Sequence, residues 1–501
     1  MAAAIEVLDD TPDQRTRPAR QIALEATLLG VLADNVLRRA SDGLGWSIWV
    51  AALAIATVLV VRQRRERMRP EQVLWLVLAV ASASNVAWRA AEELQAWSVF
   101  ATLIALAMYS MASVGRPASS IFSAHVRDIP MAWLLAAKDG LFGTPGLLKD
   151  AEIGSAIRSS AAARRPALRA VVITVPLVIV FTALLSRADP VFNSIFRLPD
   201  FEVGELAGHL MLGGVFAWLS AGWMRGTFAP AASRPDWRLS VPLKLGVVEI
   251  TSALGAVAGL FAVFVAIQLR WLFGGAEVVQ ATTGLSVAEY ARRGFFELVA
   301  VSALVFPLIL GTRATIDDEA ALRRHTRLSA VLLLLLAAIM ASALLRMQLY
   351  VQYFGLTTDR LYAVAFMTWL AVVFAGLGLT VLRHWQRPFA AIAMLSAYVG
   401  LFALAMANPE AIVARVNLSR ASTAEVDYEY LARLSGDAAP LVVSALSSAQ
   451  PSAGACEAAT RLRAKALTRA GRTATNLGMA RGFEATLRTL TPSQLQRLCA
   501  K

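Results

Sequence analysis

Arg292 and Arg293 stand five and four residues ahead of Glu297. On a helix the four-residue step puts Arg293 and Glu297 on one face, in reach of an ion pair. Tyr290 precedes them, and Asp34, Asn85, His209 and Gln268 are further polar side chains set inside or beside long apolar runs. An ionisable group at a bilayer centre costs about 2.5–3.5 kcal/mol on insertion scales, so each needs a reason to be there. Gathered together, they would line a polar pocket able to bind a lipid, an anion or a peptide segment. Kept apart, they would snorkel to water and hydrogen-bond between helices, which is the preferred reading.

Other chemistry is sparse. No GxxxxGK[ST] phosphate loop, HExxH zinc pair or GxSxG elbow occurs. The four histidines, at 125, 209, 325 and 384, do not form a ligand spacing. No metal, cofactor or catalytic residue is therefore expected, although Glu297 or His209 is the only general base an intramembrane transferase would have. Glu249 is a separate carboxylate, roughly 28 Å along its helix from Gln268 at 1.5 Å per residue. It is expected to pair with Lys244, Arg225 or Arg238, the alternative being one end of a proton path.

The elements that position these residues are apolar blocks. The 501-residue chain is 57% hydrophobic and only 17% charged, against about a quarter charged in soluble domains. The blocks are close to the ~20 residues that cross a bilayer as a helix. Eleven spans are expected, at 21–37, 44–61, 72–88, 97–114, 170–186, 205–224, 245–269, 294–311, 328–345, 361–382 and 388–407. The first is short and interrupted by Glu25 and Asp34, so ten is the alternative. The fold class is all-α: a polytopic transmembrane bundle with a small extracytoplasmic C-terminal helical domain.

The net charge of +13 does not point to nucleic acid, because the basic residues sit between apolar blocks. Segments 1–20, 62–71, 115–169, 225–244, 312–327 and 383–387 hold 26 Lys and Arg, against 10 in the alternate connections. The richer set is expected to be cytoplasmic. In that topology the N-terminus is inside, the C-terminus outside, and Asp34, Asn85, His209, Gln268 and Glu297 lie near the outer helix ends while Glu249 lies near the inner face.

Three parts follow: a disordered cytoplasmic tail at 1–20, the bundle at 21–407 and the external domain at 408–501. Within 115–169, Met131 to Phe142 is either an interfacial amphipathic helix or a plain connector. Outer loops 187–204 and 346–360 carry apolar and aromatic residues, Tyr350, Tyr353 and Phe354 among them, expected first as interfacial anchors. Gly255 and Gly259 form a GxxxG that permits close helix approach. Cys456 and Cys499 are the only cysteines. Outside the membrane they are expected to form a disulfide worth about 3–4 kcal/mol for a loop of this length, two buried thiols being the alternative.

Several strings are long enough to be specific: QLRWLFGG, ATTGLSVAEYARRGFFELVAVSALVFPLIL, LYVQYFGLTTDRLYAVAFMTWLA at 349–371, NPEAIVARVNLSR at 408–420, DYEYLARLS at 427–435 and GLGW at 43–46. They resemble the bacterial membrane proteins grouped as the DUF4173/DUF4153 families, with Trp271 standing where tyrosine is expected. The resemblance implies a multi-pass protein of the bacterial inner membrane and no reaction. Three functions remain: a non-enzymatic envelope sensor, scaffold or assembly protein with a protein partner, a transporter or lipid-handling protein using the outward pocket, and a transferase. Beyond the bilayer and such a partner or lipid ligand, no nucleic acid is expected.

Overall fold

A computed structural model describes residues 12–39, 43–113, 120–122, 128–152, 203–228, 246–283, 295–316, 318–382, 389–420, 426–469 and 476–500. Among these residues every regular element is a helix. In chain order they are α1 (Pro12–Arg39), α2 (Leu44–Gln63), α3 (Pro70–Trp88), α4 (Glu92–Ser113), α5 (Asp128–Phe142), α6 (Thr144–Asp150), α7 (Val203–Phe228), α8 (Val247–Thr283), α9 (Phe295–Ala314), α10 (Glu319–Phe354), α11 (Thr358–Leu382) and α12 (Phe389–Ala407). Six shorter helices follow: α13 (Pro409–Ser419), α14 (Tyr428–Arg433), α15 (Ala439–Ser448), α16 (Ala453–Arg469), α17 (Leu477–Thr489) and α18 (Pro492–Cys499).

Six helices among the described residues, α2, α4, α8, α10, α11 and α12, are long and apolar enough to cross a membrane. Their side chains explain it: α12, FAAIAMLSAYVGLFALAMA, carries no charge over its whole length. The chain is thus an all-α polytopic membrane protein. The expected spans at 21–37, 72–88, 205–224 and 294–311 are helical within α1, α3, α7 and α9 but are not among the six, and 170–186 lies outside the described residues. Helix α1 starts at Pro12, nine residues ahead of the expected first span.

The contacts divide into two compact units: Met1–Val80, Ile104–Val114 and Met131–Pro230 form one, and Ala81–Leu103, Gly115–Pro130 and Ala231–Lys501 the other. In the first unit α7 is the central element. Gly30 of α1 meets it backbone to backbone, since a Cβ there would run into the Gly213 carbonyl and lie only 3.1 Å from the Ala217 Cα. Trp49 of α2 packs edge-on against Phe216 at 4.9 Å. The C-terminal end of α7 is capped by Arg64, whose Nη1 donates to the Phe228 carbonyl at 3.0 Å, a favourable place for a cation at a helix C-terminus. Helix α5 forms over Asp128–Phe142 and leaves Trp133, Leu134, Leu141 and Phe142 exposed.

In the second unit the core runs between α8, α9, α10 and α11, through Ile250, Leu254, Phe261, Ile309, Leu332, Leu336, Ile339 and Leu377. Gln268 of α8 meets Ser342 and Arg346 of α10. An antiparallel course from there would carry α8 past the end of α10 at Phe354 within about three turns, so the extended packing of these two helices sets them parallel. The helix expected to end near 345 continues to Phe354 because nothing interrupts it before Gly355, whose φ of 78° ends it. Leu349, Tyr350, Tyr353 and Phe354 are therefore helical rather than loop residues. The expected close approach at Gly255 and Gly259 is not seen: a Cβ at either position meets nothing within 4 Å among the described residues.

Residues from Val413 to Leu498 build a further core from Leu431, Val442, Val443, Leu446, Ala458, Ala459, Leu462 and Leu490, which Leu356 of the α10–α11 turn joins. A disulfide joins Cys456 of α16 to Cys499 of α18 across 43 residues.

Candidate functional site

The best-formed polar site of the second unit begins where two helices end. Helix α3 stops at Trp88 and α4 starts at Glu92, leaving carbonyls of one and amides of the other without helical partners. Asn476 donates from Nδ2 to the carbonyls of Val86 at 2.8 Å and Arg89 at 2.7 Å. Its Oδ1 accepts from the Met479 amide and caps α17, so both donors and the oxygen of the amide are engaged. Asp437 accepts from the Ala90 and Ala91 amides at 2.6 and 3.2 Å, placing a carboxylate at the positive end of α4.

Arg89, between those ends, turns to a third helix terminus. Its Nε donates to the Ala405 carbonyl at 2.6 Å and Nη2 to that of Met406 at 3.3 Å, at the end of α12. Nη1 lies 3.6 Å from Asp437 Oδ1, with both side chains buried. The guanidinium also stacks over the Trp88 ring at 4.3 Å. Asn408 then takes a left-handed conformation, φ 56°, which aims its Oδ1 at the Ala411 amide and its Nδ2 at the Asp437 carbonyl. Asparagine tolerates this conformation better than other side chains, and Pro409 fits the first position of α13 because its missing N–H is not needed there.

Glu410, on that first turn, is only 5% exposed. One oxygen accepts from the Ser435 amide at 2.8 Å and from its hydroxyl. Burial pushes its carboxyl up to about 7, the Ser435 hydrogen bonds opposing that rise and Asp437 and Glu93 adding to it. A second contact lies at the turn from α10 to α11. Asn417 pairs with both backbone groups of Leu356, at 2.9 and 2.6 Å. The Thr358 amide donates to the Tyr430 hydroxyl at 3.1 Å, and Arg420 donates to the Gln352 and Tyr353 carbonyls. Three of the quoted strings, at 349–371, 408–420 and 427–435, meet in this joint.

Its one carboxyl raised toward neutral pH is that of Glu410 among the described residues. Among the described residues no group of three or more His, Cys, Asp or Glu side chains could hold a metal.

The residues expected to line a pocket divide between the units. In the first, Asp34 accepts from Arg38 at 2.8 Å and meets His209 Nδ1 at 2.6 Å. Beyond Gly214 the nearby cavity of about 270 Å³ is largely apolar, lined by Ala23, Thr27, Leu147, Leu148 and Trp218, so the pair does not sit in it. In the second unit Gln268 accepts from Arg346 at 2.5 Å and Ser342 at 2.8 Å, while Asn85 is buried with its Nδ2 unbonded among the described residues. Tyr290, Arg292 and Arg293 lie outside the described residues, as does the side chain of Glu297. Glu249 is exposed in the first turn of α8, where a carboxylate is favourable. Of its expected partners, Arg225 bonds Asp150 at 2.8 Å in the first unit, and Arg238 and Lys244 lie outside the described residues.

Arg89, Glu410, Asp437 and Asn476 were not singled out from the sequence. The available signals were an arginine directly after an apolar helix and an Asn-Pro pair directly after another. Residues 73–445 match the family model described as a domain of unknown function, DUF4153. That segment contains Arg89, Glu410, Asn417 and Asp437 but stops before Asn476 and both cysteines. No curated protein and no solved structure matches the chain.

Proposed function

This chain belongs to the DUF4153 family, and on that premise we propose that it is a non-enzymatic sensor, scaffold or assembly protein of the bacterial envelope. In this reading the chain sits in the inner membrane, its N-terminus is cytoplasmic, and residues 408–501 form a domain on the outer side. The charge asymmetry of the connections supports that orientation. The observation that carries the reading is the joint: the end of α3, the start of α4 and the α10–α11 turn are capped by side chains in 408–476, while Arg89 caps the end of α12. Such bonding makes the C-terminal helices a fixed extension of the helices they cap, suited to presenting a surface to a partner.

Native mass spectrometry of wild type and Glu297→Gln, gently extracted, tests it. The expected result is protein adducts that persist in Glu297→Gln and disappear on removal of 408–501. A lipid or small molecule retained by wild type and lost in Glu297→Gln would replace this reading with lipid handling or transport. Labelling of Thr468→Cys by a membrane-impermeant maleimide on intact spheroplasts tests the orientation, and protection until lysis would reverse it.

A further inference from the structure

The parallel pair α8 and α10 contains one layer unlike its neighbours. Gln268 meets Arg346, and both Thr251 and Ser329 lie 17 residues earlier on their helices. At equal rise per residue, Thr251 and Ser329 therefore share a level. The same step aligns Leu254 with Leu332 and Phe261 with Ile339, all buried in the common core. His325 lies one turn below Ser329 on the same face, since four residues nearly complete a turn.

Over this turn the hydrogen bonding is incomplete. Thr251 Oγ1, Ser329 Oγ and His325 Nδ1 are all buried and unbonded among the described residues, and His325 and Ser329 are 0% exposed. Native interiors rarely leave one such group, and each costs about 1–3 kcal/mol. Three within one turn along α10 and the matching level of α8 call for a shared partner.

The bonding on the other ring nitrogen defines what that partner must offer. His325 Nε2 is 3.1 Å from the Ile309 carbonyl, which only accepts, so Nε2 carries the proton. Thr312 Oγ1, also 3.1 Å from Nε2, agrees with this, because its own proton goes to the Leu308 carbonyl at 2.6 Å. In the neutral ring Nδ1 is then a bare acceptor, and it needs a donor. Two hydroxyls that can give or receive complete the set. Serine and threonine are also smaller than Leu254 and Leu332 of the next layer.

We propose that the Thr251–Ser329 layer binds a water molecule, which donates to His325 Nδ1 and is held by the two hydroxyls. Three protein partners is the usual number for a buried water. The site is separate from the joint at Asp437 and from the Asp34–His209 pair, and it stands whether or not the scaffold reading holds.

Magic-angle-spinning NMR of the full chain in bilayers, with ¹⁵N-histidine, tests this. Only four histidines are present, and loss of one signal in His325→Gln assigns it. The expected result is a protonated Nε2, an unprotonated Nδ1 shifted by hydrogen bonding, and polarisation transfer to Nδ1 from water. In Thr251→Val, which keeps the side chain's shape, that transfer is expected to be lost or sharply reduced. A proton on Nδ1 with Nε2 bare, or no transfer from water in wild type, would overturn the proposal, and the wild-type spectrum decides it even if a variant does not fold. Transfer that is undiminished in both Thr251→Val and Ser329→Ala would overturn the placement of the water.

Discussion

The joint around Asp437 and the layer around Ser329 are both buried and polar, yet they are bonded in opposite ways. At the joint the Asp437 carboxylate, the Asn476 amide and the Arg89 guanidinium each hold two or more groups of another element. In the seam, hydroxyl and imidazole atoms are left without a partner among the described residues. A closed network rigidifies what it joins, while an open one needs something from outside. Substitutions should therefore be costly at the first region and cheap at the second.

The sharpest way to break the contrast is Asp437→Ala. It strips the partner from a buried guanidinium and the cap from α4, and is expected to lower stability by about 3–5 kcal/mol, read as the loss of unfolding free energy in detergent–denaturant titration. A loss below ~1 kcal/mol would mean the joint is no more closed than the seam. Next in size is the disulfide. Cys456→Ser with Cys499→Ser opens a 43-residue loop and should destabilise the C-terminal helices by about 3–4 kcal/mol on the chain-entropy account, seen as faster proteolysis between 408 and 500. The bridge lies outside the capping network, so the α3–α4 end should keep its protection.

Glu410 makes the joint responsive to pH. Its folded carboxyl is raised to about 7 from the 4.5 of an ordinary glutamate, so folding favours the protonated form. That contribution is complete below the unfolded value and is lost as pH rises through about 7. Wild type should thus lose stability between pH 5 and 8 relative to Glu410→Gln, and parallel curves for the two proteins would remove Glu410 as the source. The smallest effect sharpens the other side. Ser342→Ala removes a hydroxyl that donates to Gln268 and should cost about 1 kcal/mol, whereas Ser329→Ala removes one with no partner among the described residues and should cost less. Equal losses would erase the difference between bonded and unbonded hydroxyls.

The helices and the lipid setting were legible because hydrophobicity is a local signal: α12 is readable from nineteen consecutive residues. The joint was not, because its partners are distant in the chain, 347 residues apart for Ala90 and Asp437 and 387 for Arg89 and Asn476. No periodicity announces such a pairing. His325 was read with its basic neighbours as a cytoplasmic connection, but at 100° per residue Arg323, Arg324 and Arg327 face outward while His325 and Ser329 face the core. Arg346 was counted with an outer connection, and the uninterrupted α10 draws it inside to Gln268. The grouping of Asp34 with Gln268 came from depth alone, which does not say which side of a helix a residue occupies.

The capping of α3 and α4 by Asp437 and Asn476 also orders events in time. Synthesis proceeds at about 5–20 residues per second, so an interval on the order of 20–70 s separates the making of Ala90 from that of its partner 347 residues later. Through that interval the turn after Trp88 is an unfinished end with a cation beside it. A nascent chain broken off after α12 would keep Arg89 without its carboxylate, so completeness of the last ninety residues is written into a turn made near the start.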